Sequence, residues 1–302
     1  MTDPTPGPGP DLVIAGAARS GTSSLAAQLG HHPDIDAGKV KEPNYFSRHL
    51  DRGAEWYEGL YLPRRDGLFR LDASTSYASP LYPDAPARLA AAAPDCLVIY
   101  AVRQPTERAL SHYLLRHFYF HIDPARDFGA ALAGDSFYVE GSDYSRWIPE
   151  LRKVFPEQQV LVVPFELITE RPQEVTAQVC RLLGLPDPPA AEHRGRRHRN
   201  NVVEYRHEAA RQAARAFRRS AAYPMLRSLL GPGRMRTARR VITREAELPS
   251  EDKALSSCTA EQLAMLRSLD ERAGAATMEH LAAQDARLGI AWSGLSFAAN
   301  AV

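Results

Sequence analysis

The stretch Asp11-Leu12-Val13-Ile14-Ala15-Gly16-Ala17-Ala18-Arg19-Ser20-Gly21-Thr22-Ser23-Ser24-Leu25 decides the fold. Leu12 to Ala15 is an apolar run too short for a helix and typical of a buried parallel strand. Gly16, Ser20 and Gly21 permit a tight turn with little side-chain bulk. Leu25 and Leu29 then recur at helical spacing around Ala26 and Ala27. Strand, glycine loop and helix make a phosphate cradle, because loop and helix-N-terminal N–H groups converge on an anion and the helix dipole adds to the attraction. The spacing Gly16-x-x-x-x-Gly21 nearly matches a Walker A loop, G-x-x-x-x-G-K-[ST], but Thr22 stands where the lysine belongs. A nucleoside triphosphatase lacking that lysine loses the charge spanning its outer phosphates. The nearest cation is Arg19, inside the loop. The cradle therefore reads as one for a nucleotide whose reactive group takes its cation from a different position.

Two more apolar runs read as buried strands, Cys96 to Val102 and Val160 to Pro164, and Leu68 to Tyr77 as a shorter strand opening into a polar loop. Between them lie helical patterns at 84–93, from Pro105 with an apolar face of Leu110, Leu114 and Leu115, at Tyr144 to Val154, and from Pro172 to Leu183, closing at Gly184. Strands alternating with helices predict an α/β fold, a three-layer P-loop-like parallel sheet flanked by helices. Arg103 falls at the C-terminal end of its strand, where such folds bind ligands, and Ser111 two turns into the next helix. Residues 51–70 read as irregular, 193–201 as a basic loop, 206–245 as basic amphipathic helices, and 259–288 as a helical stretch interrupted at Gly274. The domain expectation is a disordered Pro/Gly-rich tail at 1–10 and one domain over 11–302, with 11–200 as the α/β core and 201–302 as a mostly helical extension.

With 302 residues the chain can bury a large core, and a net charge of +1 gives no overall field favouring nucleic acid or membrane. Cys96, Cys180 and Cys258 are widely spaced, without metal or disulfide pattern, and suit a reducing compartment. No apolar run approaches the roughly 20 residues of a membrane span, and the N-terminus lacks the basic and apolar regions of a secretory signal. The expectation is a cytoplasmic protein with no nucleic-acid partner, no membrane span and no metal site; the oligomeric state is left open.

Taken together and in order, the phosphate loop, Lys39-Val40-Lys41-Glu42-Pro43-Asn44-Tyr45-Phe46, and Arg103-x-Pro105-x-x-Arg108-Ala109-x-Ser111-x-Tyr113 resemble the sulfotransferases that use 3′-phosphoadenosine 5′-phosphosulfate (PAPS). The likeness is to the heparan-sulfate-type branch and its bacterial relatives, over about Asp11 to Asn200. The resemblance implies that Ala18, Arg19, Ser20, Gly21, Thr22 and Ser23 bind the 5′-phosphosulfate and that Arg103 and Ser111 grip the 3′-phosphate. It implies that Arg194, Gly195, Arg196 and Arg197 close over the 3′-phosphoadenosine, where a solvated basic patch or an anionic-acceptor site is the competing reading. Arg19 stands where many members carry lysine; it supplies a fixed charge but no dissociable proton. Glu42 matches the family's catalytic carboxylate, with Lys41 or Lys39 as its electrostatic partner. Tyr144 and Trp147 match a structural segment, and the loop from Asp72 to Tyr77 one that lines the acceptor cleft.

The function expected is sulfuryl transfer from PAPS to a hydroxyl or amine of a small-molecule or carbohydrate acceptor by in-line displacement, leaving 3′-phosphoadenosine 5′-phosphate (PAP). The catalytic residues expected are Glu42, Arg19 and Lys41. A P-loop kinase of a small metabolite would require the Walker lysine that Thr22 replaces. A non-enzymatic module binding anionic ligands through 194–240 would leave Arg103 and Ser111 without purpose.

Overall fold

A computed structural model describes residues 9–188, 203–205, 243–245 and 248–295, with positions 213, 216, 217 and 220. Five parallel strands form one sheet: β1 (Leu12–Gly16), β2 (Ile35–Asp36), β3 (Phe69–Asp72), β4 (Leu97–Val102) and β5 (Val160–Pro164), in the order β2-β3-β1-β4-β5. β1, β4 and β5 are buried along their whole length. Burial on both faces explains why they read as continuous apolar runs rather than alternating ones.

Side chains alternate between the faces. Leu12, Ile14, Ile99, Ala101, Leu161 and Val163 pack against Leu25 and Leu29 of the helix Thr22–Leu29, Ile168 of the helix Phe165–Glu170, and Val175 and Val179 of the helix Pro172–Leu182. On the other face Tyr100 meets Tyr144 edge to face, with ring centroids 5.9 Å apart. Tyr144 opens the helix Tyr144–Val154, which holds Pro149 in its interior.

The edge strand β5 is covered by the helix Ala260–Leu288. Gln284 donates to the carbonyl of Val162 at 2.9 Å and accepts its N–H at 2.8 Å, so one side chain satisfies both backbone groups that a neighbouring strand would have paired. That helix runs through Gly274 without interruption, contrary to the sequence expectation. One glycine costs about 1 kcal/mol relative to alanine, less than the burial of Leu266, Leu269 and Leu281 along the same helix returns.

Two other expectations are corrected. Within 51–70 the chain forms a helix, Gly53–Glu58, because Tyr57 is drawn into the core and stacks on Tyr45 at 4.7 Å. Within 206–245 the described positions 213, 216 and 217 are helical as expected, but Thr243–Glu245 is a strand (β7) paired antiparallel with β6 (Val203–Tyr205), in the register Val203↔Glu245. Val203, Tyr205 and Thr243 are residue types that favour strands; a partner about 40 residues away leaves no local periodic signal.

The chain forms two compact units. One comprises residues 1–109, 136–193 and 261–302 and carries the sheet; the other comprises 110–135 and 194–260. In the smaller unit Tyr113, Phe118 and Phe128 are buried, while Leu114 and Leu115 of the expected apolar face are only half-buried. No helix among the described residues is long and apolar enough to cross a membrane.

Candidate active site

The pairing of β1 with β4 breaks register between Ile14 and Gly16, where the chain leaves the sheet. Ala17 still donates to the Ala101 carbonyl at 2.7 Å, tying the loop's base to β4. Arg19 (φ 78°) and Gly21 (φ 80°) both adopt the left-handed region that wraps the loop. The helix then starts at Thr22, with Gly21 as its N-cap and no side chain capping the first turn. The N-terminal dipole of such a helix, with the N–H groups that open it, attracts an anion. Ser20 and Thr22 are buried, and Arg19 and Ser23 are exposed.

Lys41 reaches this helix. Its ammonium donates to the Ser23 hydroxyl at 2.6 Å, bringing a cation to the turn whose Walker position holds Thr22. It also lies 3.6 Å from the Glu42 carboxylate, which is 40% exposed. Lys39 is engaged elsewhere: its ammonium donates to the Gly59 carbonyl at 2.8 Å and its N–H to Leu60 at 2.9 Å. Of the two lysines that the sequence left as alternatives, Lys41 is the one beside both the phosphate loop and Glu42.

Arg103 follows directly on β4. Its Nε and Nη2 donate to one oxygen of Glu107 at 3.0 and 2.8 Å, and its guanidinium lies over the Phe165 ring at 4.7 Å. Its backbone N–H donates to the Tyr144 hydroxyl at 3.1 Å. The helix Pro105–Leu114 that follows is capped by Asp270, which accepts from the Thr106 N–H at 2.9 Å and from its hydroxyl at 2.8 Å. Burial raises the pKa of Asp270. Ser111 lies on this helix, half-buried, in the part counted with the smaller unit. Arg194, Gly195, Arg196 and Arg197 lie outside the described residues.

The sequence reading missed two supports. Arg108 is 2% exposed and spends its guanidinium on the phosphate loop's own scaffold. Nε donates to Ser142 Oγ at 2.7 Å, Nη2 to the Tyr138 carbonyl at 2.9 Å and Nη1 to the Ala18 carbonyl at 3.3 Å. Burial lowers its pKa. In sequence it is a position of the motif from Arg103 to Tyr113, with nothing local to give it a role. The second support is Asp72, the last residue of β3, fully buried beneath the Glu42 turn. Burial pushes its carboxyl up to about 6 against the opposing pull of hydroxyls from Ser74, Tyr77 and Tyr57. In sequence it opens the loop to Tyr77 that the resemblance places at the acceptor cleft, and nothing there marks it as buried or as a support.

Comparison with known proteins gives the arrangement a family context. The family model for the sulfotransferase domain matches residues 9–220. A murine heparan sulfate glucosamine 3-O-sulfotransferase 6 (Mus musculus) is 38% identical over 111 residues, covering 35% of this chain and 32% of that protein. The human heparan sulfate glucosamine 3-O-sulfotransferase 3B1 (Homo sapiens) is 30% identical over 183 residues, 58% of this chain and 46% of its own. The chain thus spans a third to a half of the length of these relatives. The crystal structure of a sulfotransferase from Alicyclobacillus acidocaldarius is 27% identical and covers 60% of this chain and 84% of its own, with a TM-score of 0.49.

Proposed function

The chain belongs to the sulfotransferase domain family, and from that premise we propose that it moves a sulfuryl group from PAPS to a saccharide hydroxyl. The observation that carries this reading is the Lys41 ammonium on Ser23, a cation brought in space to a phosphate loop that lacks its Walker lysine in sequence. The relatives named above act, by their names, on the glucosamine of heparan sulfate. A glucosamine-containing saccharide is accordingly the acceptor proposed first, and a small-molecule hydroxyl or amine second.

In this reading the uncapped first turn of the helix Thr22–Leu29, with Arg19 and Lys41, holds the 5′-phosphosulfate, and Arg103 with Ser111 holds the 3′-phosphate. Arg194, Gly195, Arg196 and Arg197 complete the nucleotide site. Glu42 takes the proton of the acceptor hydroxyl as its oxygen bonds to sulfur. The bond from sulfur to the bridging phosphate oxygen breaks in line, and its electron pair leaves on PAP. Arg19, Lys41 and the loop N–H groups stabilise the charge that develops on that oxygen. No divalent ion enters the scheme. Free thiols at Cys96, Cys180 and Cys258 support a reducing, cytoplasmic setting.

Calorimetry with PAP, AMP and ATP tests the reading. PAP binding tighter than both supports it. Equal affinity for AMP removes the 3′-phosphate role of Arg103, and a magnesium-dependent preference for ATP replaces the proposal with a kinase.

A further inference from the structure

The turn that carries Glu42 is hung on one buried carboxylate. Asp72 accepts three hydroxyl hydrogen bonds: Ser74 at 2.5 Å on Oδ1, and Tyr77 at 2.7 Å and Tyr57 at 2.9 Å on Oδ2. The Ser74 hydroxyl, its proton committed to Asp72, accepts the backbone N–H of Asn44 at 2.8 Å. Asn44 sits at φ 52°, in the left-handed region, and its amide donates to the Glu42 carbonyl at 2.7 Å while accepting from Ser76 at 2.6 Å. Ser76 and Ser47 share a further hydrogen bond at 2.6 Å, and the Phe46 N–H reaches the Tyr77 hydroxyl at 3.4 Å. Every anchor of the segment from Glu42 to Ser47 in this set therefore leads back to the end of β3, and the chain of bonds from Asp72 to the Glu42 backbone has only two intermediates, Ser74 and Asn44.

A buried carboxylate held by hydroxyls rather than by a cation is an expensive way to fasten a turn, since apolar packing of similar volume does the same at lower cost. What such a network adds is direction: each bond fixes one donor on one acceptor, and a fully satisfied network admits one arrangement. Asn44 has to be held in a left-handed backbone conformation, and the bond from its N–H to Ser74 does so from outside the turn.

We propose that Asp72 is a positioning residue for sulfuryl transfer: through Ser74 and Asn44 it fixes the Glu42 turn, and with it the reach of the Glu42 carboxylate to the acceptor hydroxyl. The inference rests on the reading of Glu42 as the base. It assigns Asp72 no contact with donor or acceptor. Placement of a reacting group to within about 1 Å is worth up to about a hundredfold in rate, so loosening this tether acts on turnover and leaves nucleotide affinity alone.

The test uses the full chain with PAPS and a heparan sulfate oligosaccharide as probe. Ser74→Ala cuts the tether while leaving Asp72 its two tyrosines; Asp72→Asn disturbs all three bonds. Each variant is made in the wild-type and in the Glu42→Gln background. Ser74→Ala is expected to lower kcat about tenfold or more with PAP affinity unchanged. In the Glu42→Gln background it is expected to change kcat by less than about twofold, the non-additivity of residues acting as a unit. An equal loss in both backgrounds makes the network structural and overturns the proposal.

Amide hydrogen exchange reads the same tether without turnover. Exchange at Asn44 and Phe46 is expected to accelerate in Ser74→Ala and Asp72→Asn while Ser24 and Leu25, bonded to the Gly21 carbonyl, keep their protection. Acceleration at all four overturns the proposal, as does acceleration at none. If the unaltered protein fails to turn over the oligosaccharide, that failure counts against the acceptor proposed above, and the exchange measurement still decides the tether.

Discussion

Substituting Gly21 by alanine tests the phosphate loop where its geometry is tightest. Two costs add. Gly21 has φ 80°, and an L-residue in the left-handed region costs about 1–2 kcal/mol. A Cβ built there meets Ile168 Cγ2 and Phe165 Cδ2, both at 3.1 Å. Ile168 is 1% exposed and cannot retreat, so overpacking adds about 1–3 kcal/mol. The total is about 2–5 kcal/mol. Gly67 is the control: its φ is 76° but a Cβ there meets nothing within 4 Å, which leaves only the backbone cost of about 1–2 kcal/mol. Equilibrium urea unfolding of both variants, at unchanged m-value, separates the packing term from the backbone term. PAP calorimetry adds a second readout, because Phe165 carries the Arg103 guanidinium on its ring. Gly21→Ala is expected to weaken PAP binding, and Gly67→Ala to leave it unchanged. Equal destabilisation by the two substitutions would refute the packing argument, and intact PAP binding in Gly21→Ala would separate this turn from the nucleotide site.

Further outcomes follow from the same geometry. Arg103→Ala is expected to cost about 1.5–3 kcal/mol of PAP binding, the range for charged hydrogen bonds, and to leave AMP binding nearly untouched; calorimetry on both nucleotides checks it. Glu42→Gln is expected to lower single-turnover sulfation by roughly 10²–10⁴-fold with PAP affinity unchanged, and parallel losses of rate and affinity would make Glu42 a support of the donor site. Burial, assisted by the Arg152 guanidinium, pushes His280 down from 6.5 to about 4. Its folded value lies below its unfolded one, so its contribution to stability is present above pH 6.5 and is lost as pH falls towards 4. Asp72, raised from 3.8 to about 6, has the opposite sign across this window. The comparison is therefore between wild type and His280→Gln at each pH by thermal unfolding: the gap between them is expected to narrow as pH falls from 6.5 to 4, and a constant gap would refute the shift.

The strand–loop–helix unit was legible because its signals are local. A buried parallel strand shows as an apolar run, a left-handed turn as glycine, and the helix as the spacing of Leu25 and Leu29; β1, β4 and β5 came from the same signal. The position of Arg103 followed from the end of β4. The choice between Lys39 and Lys41 was not legible, since it depends on which way an irregular segment turns its side chains, and the Gly59 and Leu60 carbonyls that capture Lys39 are about 20 residues away in sequence. Arg108 and Asp72 were missed for a related reason: a buried charge looks like a surface charge until its partners are known, and their partners come from Ala18, Tyr138 and Ser142 for one and Tyr57, Ser74 and Tyr77 for the other. Gly274 misled in the opposite direction, because tertiary packing outweighs the local cost of one glycine.

The central claim is that the protein transfers sulfur from PAPS to an acceptor. The direct measurement supplies PAPS carrying radioactive sulfur to the full chain, with a heparan sulfate oligosaccharide and a small-molecule extract as acceptors, and follows the label by chromatography and mass spectrometry. The account predicts labelled sulfate on an acceptor, stoichiometric release of PAP, and an undiminished rate in the presence of a chelator. Label that stays in the nucleotide fraction, with no sulfated acceptor and no PAP released, would contradict it.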